Sequence, residues 1–331
     1  MSDSHHDDGT QRVFHSEPHT SGIDTGRKRK PPKNLADGMV KALRPKQWVK
    51  NVLVLAAPAA AGADALFHSG VLLDVLLAFI VFCMGASSIY LINDARDVEA
   101  DRAHPTKRFR PIAAGVLPVG LAYAMAAVLI VGSIALSFLA TAGPQLAIVM
   151  AVYIALQLGY CFGWKHMPVI DIALVSSGFM LRTMAGGVAA GIVLSQWFLL
   201  VAAFGSLFMA SGKRYSEILL AERTGAKIRK SLEGYTPTYL RFVWTLAATA
   251  LVMSYSLWGF QLSNAADGPA GVWYQVSMVP FTIAVLRYAA DVDRGNGGAP
   301  DEIALEDRAL QVLALAWLAC IAMAVYIMPM L

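Results

Sequence analysis

Residues 93–115 read NDARDVEADRAHPTKRFRPIAAG and place four acids and five bases immediately behind an apolar run at 70–92. If the helix of that run continues through them, Asp94, Asp97 and Asp101 fall at i, i+3 and i+7 and line one face. Carboxylates so arranged suit a hard divalent cation such as Mg²⁺. Such a cation keeps several waters and binds through a few carboxylates plus substrate phosphates. Lys107, Arg108 and Arg110 follow closely, and arginine presents a planar fork of donors to phosphate oxygens. Acids, metal and bases together, with Asn93 beside them, describe a diphosphate clamp. A solvated loop obeying the positive-inside rule would account for the bases but not for the aligned acids.

Of the 331 residues, 56% are hydrophobic and 15% charged, and the mean hydropathy is +0.53. The apolar residues come in long runs, which predicts an all-α, polytopic membrane protein. Nine runs are long enough to cross a bilayer: 49–67, 70–92, 117–140, 144–163, 168–190, 195–212, 239–262, 271–290 and 303–328. With nine crossings, the loops near 62–70, 140–144, 191–195 and 262–271 share one side and contain no Lys or Arg. The positive-inside rule then puts the N-terminus and every charged loop in the cytoplasm, with the C-terminus outside. The protein is expected in the cell (plasma) membrane, its site facing the cytosol. Cys83, Cys161 and Cys320 all fall within spans and have no metal-ligand or redox spacing, so they read as small apolar residues. The net charge of +4 gathers at the inner face, where it suits anionic lipid headgroups rather than nucleic acid. A homo-oligomer is left open.

Residues 1–35 lack apolar periodicity and are expected to be a disordered cytoplasmic tail, leaving 36–331 as the transmembrane domain. The basic cluster at 27–30, with Lys33, is expected to contact anionic lipid. Trp48 is a natural interfacial anchor, and Lys50 and Asn51 reach either the clamp or the headgroups. Tyr153, Gln157 and Tyr160 form a polar stripe that lines a helix contact or a cavity, and Lys165 follows at the cytosolic end. Arg182 lies roughly 20 Å along the fifth span at about 1.5 Å per residue. An intramembrane arginine marks an anion-binding candidate; the alternative, pairing with Asp171, asks for too long a reach. Gly186, Gly187 and Gly191 permit close helix approach.

Lys213, Arg214 and Glu217 form a second charged cluster at the depth of the first, so two half-sites can face each other across a bundle. The segment 224–235 reads as an amphipathic lid or a solvated face, and 291–308 as an acidic hydrophilic loop. No internal repeat is visible at the level of residue identity, although the clusters after spans two and six hint at a duplication.

The chain resembles the UbiA-type intramembrane prenyltransferase superfamily. The first Asp-rich motif, NDxxDxxxD, is complete at Asn93, Asp94, Asp97 and Asp101, but the second is replaced by GKRYSE at 212–217. With RPKQWVKNVLVLAAP at 44–58 and FGSLFMASGKRYSEILLAERTGA at 204–226, it is similar to the branch that transfers phosphoribose to decaprenyl phosphate. That resemblance implies a nine-helix bundle with a cytosolic cavity. It also implies Mg²⁺, phosphoribosyl diphosphate (PRPP) as donor, a polyprenyl phosphate acceptor, and a place in arabinan supply to the cell wall. PRPP carries both a diphosphate and a separate 5-phosphate, which the extra bases suit. On this reading Lys213 and Arg214 hold the ribose phosphate and Glu217 a ribose hydroxyl or a metal-bound water. Lys50, Tyr160, Lys165 and Arg182 guide the lipid phosphate. The alternatives are a prenyl transfer from a polyprenyl diphosphate to an aromatic acceptor, against which the missing second motif speaks, and a transporter, against which the one-sided charge speaks.

Overall fold

A computed structural model describes residues 31–62, 69–224, 232–266, 268–294 and 307–328. The expected tail through residue 30, with the basic cluster at 27–30, lies outside the described residues. So do residues 225–231 of the proposed lid and Asp301, Glu302 and Glu306 of the acidic loop. Among the described residues all regular structure is helical.

The chain enters through α1, Leu35–Ala42, whose N-cap Asn34 accepts the Asp37 amide at 2.9 Å. Asp37 in turn pairs with Lys41 one turn on, the spacing that brings side chains together on a helix surface. The first expected span, 49–67, is not one regular apolar helix. Among the described residues, Pro45–Leu55 winds as a 3₁₀ segment and Ala56–Ala60 is α-helical (α2). Two inward contacts account for this. Asn51 is buried and bonds to Arg182 and Cys83, and the Val54 carbonyl lies so close to Gly186 that a Cβ there would sit 1.8 Å from its oxygen. Side-chain anchors and backbone contact hold this segment, in a winding whose own hydrogen bonds are poorer.

Helix α3, Ser69–Arg96, has 28 residues, about 42 Å at ~1.5 Å per residue, longer than the ~30 Å hydrocarbon core. Its surplus carries Asn93 and Asp94 past the apolar zone. Regular α-helix stops at Asp97 (φ −91°, ψ 14°) and resumes as α4, Val98–Ala103. The i to i+4 bonds Asp97 N–H to Asn93 O (3.0 Å) and Asp101 N–H to Asp97 O (2.8 Å) keep the helical phase across that break. The three aspartates therefore stay on neighbouring faces. Then follow α5 (Val119–Ser137), α6 (Gly143–Cys161), α7 (Ile170–Ala189), α8 (Gln196–Thr224), α9 (Pro237–Ala265), α10 (Ala270–Asp293) and α11 (Arg308–Ala322), which ends in a π turn, Met323–Ile327. Thr236 caps α9 and Asp307 caps α11 by accepting first-turn amides.

Six of these helices, α3, α5, α6, α7, α9 and α11 with its π turn, are long and apolar enough to cross a membrane. The chain is a multi-pass membrane protein. α8 and α10 have the length as well, and both carry charges toward their C-terminal ends. Apolar packing falls into two cores. One joins α1, the 3₁₀ segment, α3, α5 and α6 around Phe82, Leu91, Leu146 and Met150. The other joins α8, α9 and α10 around Phe208, Tyr215, Leu240 and Trp244. α7 contributes Ala185 and Ala189 to the first and Ile172 to the second, so it is the partition between them.

The α7 approach to the Val54 carbonyl generates a test. Gly186→Ala should lower stability by about 1–3 kcal/mol, because a backbone oxygen cannot move aside as a flexible side chain can. Thermal unfolding in detergent would show this against Gly120→Ala, where an added Cβ meets nothing within 4 Å.

Candidate active site

All three aspartates of the 93–115 stretch are held by bases. Arg44 Nη2 donates to both oxygens of Asp94, at 2.6 and 2.8 Å. Arg110 Nη1 bridges Asp94 Oδ1 (3.1 Å) and Asp101 Oδ2 (2.7 Å), and Lys107 Nζ stands 4.0 Å from Asp101. Lys165 Nζ reaches both oxygens of Asp97 at 2.9 Å. Asp94 and Asp101 are each 3% exposed, and a carboxylate so enclosed needs opposite charge and hydrogen bonds. Asn93 faces Cys161, whose thiol lies 3.9 Å from its Oδ1. Arg108 is the exception among the expected clamp bases: it is exposed and lies over the neighbouring Phe109 ring.

The second cluster forms on α8 and α7. Arg214 is buried, with Nε 3.4 Å from Asp171 Oδ2 and Nη1 3.5 Å from Glu217 Oε2. The Asp171 contact is an ion pair without hydrogen-bond alignment, since that oxygen has no hydrogen-bond partner. Tyr160 lies beside Arg214. Both acid contacts, at 3.4 and 3.5 Å, are long beside the 2.6 and 2.8 Å of Arg44 on Asp94. The side chain of Lys213, half-buried on the same helix, makes no hydrogen bond or ion pair with the described residues. Asp171 is fully buried, and its Oδ1 accepts from the Tyr235 hydroxyl, which itself accepts the Val169 amide at 2.5 Å. Burial, and then the Asp171 bond, push the Tyr235 phenol well above its ordinary pKa. The two clusters meet at the end of α6: Tyr160 belongs to the second and Lys165, five residues on, to the first.

Arg182 sits deeper. Its Nε donates to Asn51 Oδ1 (2.7 Å), Nη1 to the Gly178 carbonyl (2.6 Å) and Nη2 to Tyr153 Oη (2.9 Å). All three acceptors are neutral, and Asp171 is engaged elsewhere. The polar stripe on α6 therefore makes helix contacts, with Tyr153 on Arg182 and Gln157 on the Leu174 carbonyl at 3.2 Å. Lys50, half-buried, belongs to the same entry segment as Asn51.

A profile of the UbiA prenyltransferase family matches residues 52–306. The chain belongs to the UbiA prenyltransferase family. It is 78% identical over 326 residues to a decaprenyl-phosphate phosphoribosyltransferase of Corynebacterium glutamicum, covering 98% of each chain. To the protein of the same name from Mycolicibacterium smegmatis it is 63% identical, covering 89% of this chain and 95% of that one. For that from Mycobacterium tuberculosis the identity is 62%, over 89% and 96%. Among solved structures, a UbiA homolog from Archaeoglobus fulgidus bound to GPP and Mg²⁺ superposes with a TM-score of 0.63 at 17% identity, covering 88% of this chain and 99% of that one. At that identity the likeness is one of fold.

Within this UbiA-family chain, three residues join the clusters that spacing alone did not assign to them: Arg44, Asp171 and Tyr235. Arg44 opens the 44–58 stretch, yet its partner lies 50 residues on. Asp171 and Arg182 are the two charged residues of α7; their mutual pairing asks for too long a reach, and the structure gives them separate partners. Tyr235 has no sequence signal beyond its place between Gly234 and Thr236. Tyr235→Phe should strip Asp171 Oδ1 of its donor and cost about 1–3 kcal/mol of stability. Thermal unfolding of the purified variant would measure it.

Proposed function

We propose that this chain transfers the 5-phosphoribosyl group of PRPP to decaprenyl phosphate, releasing diphosphate, in a Mg²⁺-dependent reaction at the charged end of the bundle. The observation that carries this reading is the 62–78% identity, along nearly the whole chain, to three decaprenyl-phosphate phosphoribosyltransferases. The replacement of a second Asp-rich motif by Gly212, Lys213, Arg214 and Glu217 supports it, because PRPP brings a second phosphate that needs cations. The chain then crosses the plasma membrane nine times, as one domain over 36–331, with the site toward the cytoplasm. Its product serves arabinan precursor synthesis (arabinogalactan, lipoarabinomannan) for the cell wall.

The donor set suits Mg²⁺, being made of carboxylate oxygens alone. Among the described residues no three or more His, Cys, Asp or Glu side chains converge as a metal site, so an ion here would take part of its shell from substrate oxygens and water. Asp94, Asp97 and Asp101 would hold it, and when bound it neutralises charge on the departing diphosphate. Arg110, Lys107 and Lys165, already aimed at those carboxylates, donate to the diphosphate oxygens. Lys213 and Arg214 bind the 5-phosphate, and Glu217 accepts from a ribose hydroxyl. Arg182, with its neutral acceptors, and Lys50 steer the lipid phosphate. The acceptor is already an anion, so no strong general base is required. The bond from ribose C1 to diphosphate breaks as the bond to the lipid phosphate oxygen forms, and the bases stabilise the charge that develops. A direct in-line displacement inverts C1.

Purified protein given ³²P-labelled PRPP, decaprenyl phosphate and Mg²⁺ should form a labelled lipid that disappears with EDTA. Asp94→Asn should lower kcat by about 10²-fold or more. Lys213→Ala should raise the KM for PRPP by about tenfold, equivalent to ~1.4 kcal/mol, and leave that for the lipid nearly unchanged. Product only from a prenyl diphosphate and an aromatic acceptor would establish the prenyltransferase alternative instead.

A further inference from the structure

Arg44 stands outside the Asp-rich motif yet makes the tightest contact with it. Nη2 covers both oxygens of Asp94, and Arg110 adds a third donor, so three of the roughly four lone-pair sites of that carboxylate are taken. Around the three aspartates stand four cations: Arg44, Arg110, Lys107 and Lys165. The cluster is therefore net positive before any ligand arrives, and a bare divalent cation gains little from entering it. An anion that brings its own metal gains on both counts.

Two features let Arg44 change acceptor. Its guanidinium carbon lies 4.7 Å from the centroid of the Tyr90 ring, one turn before Asp94 on α3. A ring face holds a guanidinium whichever anion its edge addresses. The Arg44 backbone sits at φ 54°, ψ 58°, in the left-handed region, directly before Pro45. A non-glycine residue is kept there only where the surroundings over-determine it, and such positions cluster at ligand clamps. Its side chain is 26% exposed against 3% for Asp94, so the arginine, not the aspartate, is the partner with room to move.

We propose that Arg44 is an exchangeable counter-ion. It neutralises Asp94 while the donor site is empty and passes to the diphosphate oxygens of the incoming donor, freeing Asp94 for the metal. Metal and donor consequently bind as a coupled pair, each weak without the other. This rests on the reading of Asp94 as a metal-holding residue.

The test uses the full chain in detergent, with Mn²⁺ as the probe, followed by electron paramagnetic resonance with and without PRPP. The parent protein should take up Mn²⁺ tightly only when PRPP is present. Arg44→Gln should bind Mn²⁺ alone about tenfold more tightly while its KM for PRPP rises about tenfold, and Arg44→Lys should fall between on both measures. Opposite movements of the two affinities are the signature, because a merely structural role would weaken both. A loss of both in Arg44→Gln and Arg44→Lys, with unfolding midpoints at the parent value, would overturn the inference, as would an unmoved Mn²⁺ affinity. Absence of Mn²⁺ uptake by the parent even with PRPP would instead overturn the metal reading, and the inference with it.

Discussion

A carboxylate enclosed by helices at the edge of a bilayer must find opposite charge, since the cost of isolating it exceeds what the surrounding packing returns. Asp94, Asp101 and Asp171 are all in that position, and each takes its cation from another element or loop. Asp94 draws the turn after α1 against α3 through Arg44. Asp94 and Asp101 together draw the 104–118 loop back through Arg110. Asp171 sets the depth of α8 through Arg214 and pins the approach to α9 through Tyr235. Lys165, on Asp97, ties the α6–α7 turn to the end of α3. These pairings fix the loops, and the apolar cores beneath them fix only the helices.

The two cores make the molecule bipartite around α7, and the two charges of α7 serve opposite halves. Arg182 turns to Asn51 and Tyr153 in the first half, whereas Asp171 turns to Arg214 and Tyr235 in the second. The two lie eleven residues apart in one helix, about three turns, and so on nearly the same face, meeting the two halves at different depths. Gly186 and Gly187 let α7 approach the entry segment as closely as backbone contact allows.

Much of this was legible in the sequence, because long apolar runs and their flanking charges are local signals. The runs located the helices, and the i, i+3, i+7 spacing of the aspartates survived the break at Asp97, because the hydrogen bonds across it preserve helical phase. The stripe at Tyr153, Gln157 and Tyr160 was visible, though not which neighbours it would meet. The illegible parts are those decided by distant partners. Arg44 meets Asp94 across 50 positions, Lys165 meets Asp97 across 68, and Tyr235 meets Asp171 across 64. Nothing within a helical turn of either partner announces them. The 3₁₀ winding of the entry segment escaped for the same reason, being imposed by Asn51 and by the Val54 contact with a helix 130 residues away rather than by the composition of residues 49–60.

Bases and acids of the two clusters lie together at one end of the bundle. At the other end Asp74 spends its carboxylate on a backbone amide, that of Thr141, at 2.9 Å. That arrangement bears on energetics across the membrane, where moving one charge through 100 mV involves about 2.3 kcal/mol. Substrates that arrive at and leave from the charged end traverse none of that field. Turnover by the proposed chemistry would be electrically silent, neither driven nor slowed by the potential of an energised cell.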